Sequence, residues 1–554
     1  MKCGNECSEN SLAAAVQMCC LQLPVLPAKD QQHTGGYLGR RVFLNCGRLL
    51  LKTYTMKLYA RFKKPVICLL LITTLFGACT KNTGTSTTPP AGPGQPTVPE
   101  VSTTVSIDRN TKFQNIDGFG FFGAQDVWWG AANNMYSDAW ATQVIDDLGI
   151  TIWRNEYYPP STPTRSQDAD WNKQKPVVEG LARIAQQKKV PLKFIFTVWS
   201  PPADMKVALD ADNNPISGTP NAGGTLGDGN NAGTLDPAKY TQFGNWLADG
   251  IQLYKNSGVD VYAISPQNEP LFKQKDFNSS FYKPQRWYGE MLKNSMPVVK
   301  ARFPNVKIFG SENMLGLEAG KDRQWFYHQN LKTDPAALQN LDIWAVHGYV
   351  EGITPTATSA MATLWTTAKT EFMTPSGKPF WMTETSGYSE NWKESDPKKA
   401  GALDLAMAIH AALYFGNASA WVWWQGSALG PINEYTLMQG TGAKGKKYQV
   451  SKHFYRFIRP NAKMVKVTYD ESLNVLVSAF EHTQMGAFTV VLINNSDKKV
   501  KLNLSGADIP ASFDMYTTDA GSANCTKAAT AVQKDKIELP PSSVVTLVNG
   551  KFTE

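Results

Sequence analysis

Two glutamates lie in short runs whose neighbours could put a carboxylate to chemical use. Glu269 sits in "ISPQNEP" (264–270), after a β-rich run and flanked by prolines, and Glu384 sits in "WMTETS" (381–386). Two carboxyls that face each other across a sugar can cleave a glycosidic bond. One protonates the leaving oxygen while the other attacks the anomeric carbon or activates water. Glu156 and Glu312 are rival carboxylates, and position alone leaves the choice of pair open. Other chemistries find little support. No His or Cys cluster has metal-ligand spacing, so no metal and no cofactor is expected. His347 has no serine in a Gly-x-Ser-x-Gly turn to activate.

Such a pair needs a scaffold that holds it rigidly. From residue 117 the chain repeats a short run rich in Val, Ile, Phe and Trp followed by a helix-like stretch, eight times over. The runs start near 117, 151, 192, 261, 306, 343, 379 and 420. Most starts are about one βα unit apart. The exception is a Gly/Asn-rich insertion, expected to be a loop, between the third and fourth runs. Residues 240–258 carry apolar positions at helical spacing and end on glycine, and 400–416 are apolar nearly all round. Eight alternating units predict an α/β fold, a (β/α)8 TIM barrel over 117–450. The alternative, an open doubly wound sheet, lacks a dinucleotide glycine fingerprint after the first strand. Past residue 450 the helical pattern gives way to strand-length runs. These predict an attached β-sandwich side domain from 101–116 plus 451–554.

Active sites of such barrels lie at the C-terminal strand ends. In order those ends carry Asp126, then Arg154 and Glu156, then Trp199, then Asn268 and Glu269. They continue with Glu312 and Asn313, His347 and Tyr349, Glu384, and finally Trp423, Trp424 and Gln425. Glu269 and Glu384 are 115 residues apart, three βα units, which sets strands four and seven nearly opposite in the ring. Trp128 and Trp129 could form a sugar platform or fill the core.

Taken together, "SPQNEP", "WMTETS", "DGFGFFG", "VWSPPADMK", "VHGY", "WVWW" and "HFYRFIRPNA" resemble glycoside hydrolase family 30 of clan A, over about 117–460. The resemblance implies a retaining double displacement with Glu269 as acid/base and Glu384 as nucleophile. It implies that Asn268 binds the substrate's 2-hydroxyl and that Arg154 and Tyr349 orient the nucleophile. It also implies an aromatic wall from Trp199 and one of Trp423 or Trp424, since alternation along a strand lets only one of those two point inward. His347 is a further substrate-site candidate. The implied partner is a β-linked polysaccharide or oligosaccharide, first a xylan-type polymer, then β-1,6-linked glycans or a glucosylceramide-type substrate. In the glucuronoxylan-specific members an arginine in the loop after the eighth strand helps bind the uronate. Here "QGSALGPINEY" (425–435) has no arginine, a departure that counts against that subtype. A glycan-binding lipoprotein on an inactive barrel is the non-enzyme alternative.

Composition narrows the partners. Residues 1–79 hold ten Lys/Arg against three Asp/Glu, and the rest of the chain 45 against 44, so the net charge of +8 is almost all in the N-terminal stretch. The body has no basic excess that would draw nucleic acid. The 16 tryptophans and 20 tyrosines suit stacking on uncharged rings as well as large cores. The N-terminal stretch also carries seven of the eight cysteines. Within it, 56–78 read as a lipoprotein signal peptide, with a basic n-region and then Pro65–Ala78 as the apolar segment. "LFGAC" resembles a lipobox ending on Cys79, with Phe76 a departure from the usual aliphatic residue. Residues 1–55 read as upstream sequence ahead of the true start at Met56. Residues 79–100 read as a Thr/Pro/Gly-rich tether. The expected protein is a monomer that meets the membrane only through a lipid anchor. Its place is the cell envelope, the outer membrane of a Gram-negative bacterium, or it is secreted.

Overall fold

The computed structural model describes residues 98–551 apart from 124–135, 161–168, 221–232, 274–278, 315–324, 350–358 and 441. The leader, Cys79, the tether up to residue 97, Asp126, Trp128 and Trp129 lie outside the described residues. Eight parallel strands form a closed barrel: β1 (Gly118–Phe122), β2 (Ile152–Glu156), β3 (Lys193–Thr197), β4 (Val261–Ser265), β5 (Lys307–Met314), β6 (Ile343–His347), β7 (Phe380–Glu384) and β8 (Ala420–Trp424). Each strand pairs with its sequence neighbours, and β8 closes onto β1 with Ala420 opposite Gly118. These are the eight runs picked out by their β-branched and aromatic content.

The barrel interior is built in layers by the two-residue period of the strands. Ile152, Ile195, Ala263, Phe309, Ala345, Trp381 and Val422 make one apolar cluster inside the ring. The inward positions one step further along β2 and β6 are Arg154 and His347, so the polar layer rests directly on an apolar floor. At the opposite end, Asp117 closes the ring by accepting from the Trp381 indole (2.9 Å) and the Ser419 hydroxyl (2.9 Å).

Helices cover the outside. Tyr240–Asn256 buries Tyr240, Phe243, Leu247, Ile251 and Tyr254, the stripe expected at helical spacing. Ala402–Tyr414 buries residues on all sides because it is packed against the barrel and against side-domain strands. The described residues of and around the Gly/Asn-rich insertion include strands, where a loop was expected. Lys206–Leu209, Pro215–Pro220 and Thr234–Leu235 form a small three-stranded antiparallel sheet. No helix among the described residues is long and apolar enough to cross a membrane.

The side domain is a ten-stranded sheet curled over one core, in which Val105, Val477, Val490, Leu502, Ile537 and Leu547 meet. Ile537 lies on an edge strand of the path, so the sheet folds back on itself as a sandwich does. Glu100–Asn115, which precedes the barrel, pairs antiparallel with Lys463–Thr468 and parallel with Lys499–Ser505. The chain therefore starts in the side domain, builds the barrel and returns. The helical pattern does not stop at 450: helix Lys446–Tyr455 runs across that point, and the first returning strand begins at Lys463. Strand Ser512–Asp519 is hard to read from sequence, because its polar residues blur the alternation.

Candidate active site

Arg154 is the hub at the top of the barrel. It is fully buried on β2, and its guanidinium reaches three strand ends: Glu384 Oε2 at 2.6 Å, Asn268 Oδ1 at 2.9 Å and Glu312 Oε1 at 3.0 Å. A buried guanidinium is costly unless carboxylates and hydrogen bonds surround it, and here two carboxylates do. Burial works to lower its pKa, and Glu312 and Glu384 outweigh that and raise it.

Two of those side chains face inward because the strand alternation breaks. Between β5 and β6 the pairing steps from Ala345–Ser311 to Val346–Asn313, leaving Glu312 as the extra residue of a bulge, at φ 55°. Between β6 and β7 it steps from Val346–Met382 to His347–Glu384, leaving out Thr383. Trp381 already points inward, so strict alternation would turn Glu384 outward. The bulge at Thr383 brings it back to the lumen. Glu269 stands past the end of β4 with φ 42°, in the left-handed region. That conformation is disfavoured for a non-glycine residue and is held by the surrounding bonds.

The carboxylates have different surroundings. Tyr349 donates to Glu384 Oε1 at 2.5 Å while Arg154 holds Oε2, so both oxygens have a donor. Glu269 Oε1 is 2.7 Å from His347 Nδ1. Burial pushes the Glu269 carboxyl up; the His347 bond opposes this and the Glu384 charge adds to it. Burial also works to raise Glu312, but Arg154 and His347 override it and leave Glu312 lowered to about 2. Burial works to lower His347, and Glu384, Glu269 and Glu312 overturn that and raise it to about 9. Burial and then Glu384 push the Tyr349 phenol well above its ordinary value, which keeps it a proton donor. The outcome is one carboxyl held toward its acid form and another fitted with donors for its anion.

Glu269, His347 and Glu384 each offer one donor atom, and these atoms lie within 4.8 Å of one another. That set could hold a cation, but its atoms are engaged: Arg154 and Tyr349 take Glu384, and Glu269 takes Nδ1 of His347. A cation would also have to sit beside the Arg154 charge.

Other residues fall differently. Asn268 points its Oδ1 at Arg154, which fixes the amide orientation and turns its NH2 end to other partners. Trp424 is half-buried, stacks on Phe122 (4.3 Å between rings) and stands 6.0 Å from Trp199. Trp423 is a correction: it is fully buried on the outer face of β8 and donates to the Tyr435 carbonyl at 2.8 Å, so it is no part of the site wall. His347 and Arg154 also differ from substrate contacts, because both are fully buried and act on carboxylates. Glu312 is a counter-ion beneath Arg154, a role that position alone did not reveal. Phe122 was missed as a wall residue. Its signal was present in "DGFGFFG", where Gly118, Gly120 and Phe122 share the inward face.

No family model matches the chain. In sequence it is 28% identical over 312 residues to glucuronoxylanase XynC of Bacillus subtilis strain 168, a match that covers 55% of this chain and 61% of that protein. In structure it superposes on a GH30 endoxylanase from Clostridium papyrosolvens C71 with a TM-score of 0.62 at 22% identity, covering 81% of this chain and all of that one. The resemblance to glycoside hydrolase family 30 holds. An endo-β1,6-glucanase shares the same fold, with a TM-score of 0.59 at 20% identity over 81% of this chain and 94% of that one. The likeness in fold thus reaches across barrel and side domain, while the sequence match spans about three fifths of the curated relative's length.

Proposed function

We propose that this chain is a retaining glycoside hydrolase that cleaves β-linked bonds of a xylan-type polysaccharide. One observation carries the reading: the Glu269 and Glu384 oxygens approach within 4.8 Å at the barrel mouth. Retaining enzymes keep their carboxyls about 5–5.5 Å apart, whereas inverting ones leave a wider gap for water. In the first step Glu384, held by Arg154 and Tyr349, attacks the anomeric carbon, and Glu269 gives its proton to the leaving oxygen. In the second, Glu269 takes a proton from water as that water displaces Glu384, and the anomeric configuration is restored. In this reading Asn268 binds the neighbouring 2-hydroxyl, as the family resemblance implies, and Trp199, Phe122 and Trp424 form the ring-stacking wall.

The sequence likeness to a glucuronoxylanase supports xylan as the first substrate. The missing arginine in 425–435 speaks for a xylan without an obligatory uronate, and the β1,6-glucanase fold likeness makes β-1,6-glucan the second reading. The test is proton NMR of the first products from xylan and from β-1,6-glucan. A β-anomer appearing first supports retention, and an α-anomer first would overturn it. Glu384→Gln should lower kcat on the cleaved polymer by about 10³-fold or more. Undiminished turnover would overturn Glu384 as the nucleophile, and no turnover by the unaltered protein on either polymer would leave the glycan-binding protein as the better account. We also propose anchoring at the cell envelope through Cys79, supported by the basic, apolar and small-residue order of 57–79. Cys79→Ser should then release the protein from the membrane fraction.

A further inference from the structure

At the end of the barrel opposite the carboxylates lies a groove of about 540 Å³, shared by barrel and side domain. It is lined by the connection ahead of β2 (Asp146), the connection ahead of β3 (Lys188, Lys189) and the turn after helix Lys446–Tyr455 (Arg456, Arg459), and the side-domain turn after His482 completes it. Four cations thus face one carboxylate, and Lys188 takes that carboxylate at 3.1 Å. The body of the chain is nearly neutral, so this is a local concentration of charge.

The two arginines decide what the groove suits. Arg459 is only 8% exposed, and among the described residues no ion pair is formed to it; the Asp146 carboxylate acts on it without pairing. Its Nη1 donates to the carbonyls of Gly149 (2.8 Å) and Tyr455 (3.2 Å). Arg456 likewise uses Nη1 alone, on the carbonyls of Asp146 and Asp147. The Nε and Nη2 of both have no protein partner among the described residues. Burial, with the Arg456 charge beside it, lowers Arg459 to about 10. A structural staple does not need two guanidiniums with open donor edges on one groove, and an anion beside Arg459 would offset the burial that lowers it. A forked oxyanion is the group whose geometry matches them.

We infer that this groove is a second binding site, for a small ligand that carries a forked oxyanion. Its volume falls in the range of small-ligand pockets, about 300–1,000 Å³. The oxyanion is a carboxylate, as on a uronic acid, or a phosphate. The inference holds whether or not the opposite face cleaves glycans.

The test is isothermal titration calorimetry on the full chain with glucuronic acid, inorganic phosphate and neutral xylose as separate probes. One or both anions should bind, with affinity falling as salt rises, and xylose should not bind at this groove. Glucuronate alone points to acidic glycans and phosphate alone to phosphorylated ligands. Lys189→Glu and, separately, Arg456→Gln should weaken anion binding roughly tenfold or more, with the melting temperature of Lys189→Glu and its turnover of a neutral aryl glycoside unchanged. Absence of binding by both anions, or equal affinity in wild type and Lys189→Glu, would overturn the inference.

Discussion

At the residue scale, the proposed double displacement needs Glu269 as proton donor and Glu384 as nucleophile. The burial-raised pKa of Glu269 means that its acid form persists to higher pH than a free carboxyl allows, and activity falls as pH rises through that pKa. His347 opposes the rise by hydrogen-bonding the carboxylate form. His347→Gln should therefore move the alkaline limb of kcat/KM upward, and a pH–rate profile reads this directly. An unmoved limb would mean that another group sets it. Glu269→Gln should lower kcat by about 10²–10⁴-fold on substrates with poor leaving groups, and much less on aryl glycosides with good ones, because only the former need the proton. Trp424→Ala should raise KM by about tenfold with a smaller change in kcat, since it removes a stacking face and no reacting group.

At the element scale, the barrel depends on how closely its strands approach. A Cβ at Gly120 would lie 1.7 Å from the Ile152 carbonyl oxygen on β2. No side-chain adjustment can relieve a clash with backbone. Gly120→Ala should cost at least about 1–3 kcal/mol in a urea melt and reduce activity with it, because β1 and β2 carry Phe122 and Arg154. Gly258 is the contrast. It has open space around its Cβ position and φ 77°, so Gly258→Ala carries only the backbone cost, about 1 kcal/mol.

At the scale of the whole molecule, three histidines are buried as neutral bases. His328 and His410 lie among aromatic rings, and His453 sits between helix Lys446–Tyr455 and the side domain with Thr546 (2.7 Å) and Thr518 (2.8 Å) on its two nitrogens. Burial lowers each to about 3. The unfolded chain binds protons at these sites below about pH 6.5, and the folded chain does not until about 3, so stability falls as pH drops across that window. The slope is up to about 1.4 kcal/mol per pH unit for each histidine. Glu312 acts in a lower window: its contribution is present above pH 4.5 and is lost as pH falls toward about 2. Melting temperatures at pH 7, 6 and 5 should decline well above the carboxylate range, and His410→Leu should flatten that decline. Identical slopes in both proteins would discount this account.

The sequence by itself determined the eight-unit barrel, the β-rich return and the strand ends where the carboxylates lie. Those features follow from local periodicity: Ile152, Arg154 and Glu156 share a face because strands repeat every two residues, and Trp424 faces opposite to Trp423 for the same reason. The tertiary structure alone decided where alternation fails. Glu312 and Glu384 reach the lumen through bulges that arise only when neighbouring strands pair, and no local pattern encodes a skipped partner. It also decided which groups share a charge. Arg154 joins Asn268, Glu312 and Glu384 across positions far apart in the chain, and the pKa values of Arg154 and Glu312 depend on desolvation and on neighbours that only the closed ring supplies. The basic groove at the barrel's other end has the same origin, since Lys189 and Arg456 become neighbours only once the side domain's return is folded against the barrel.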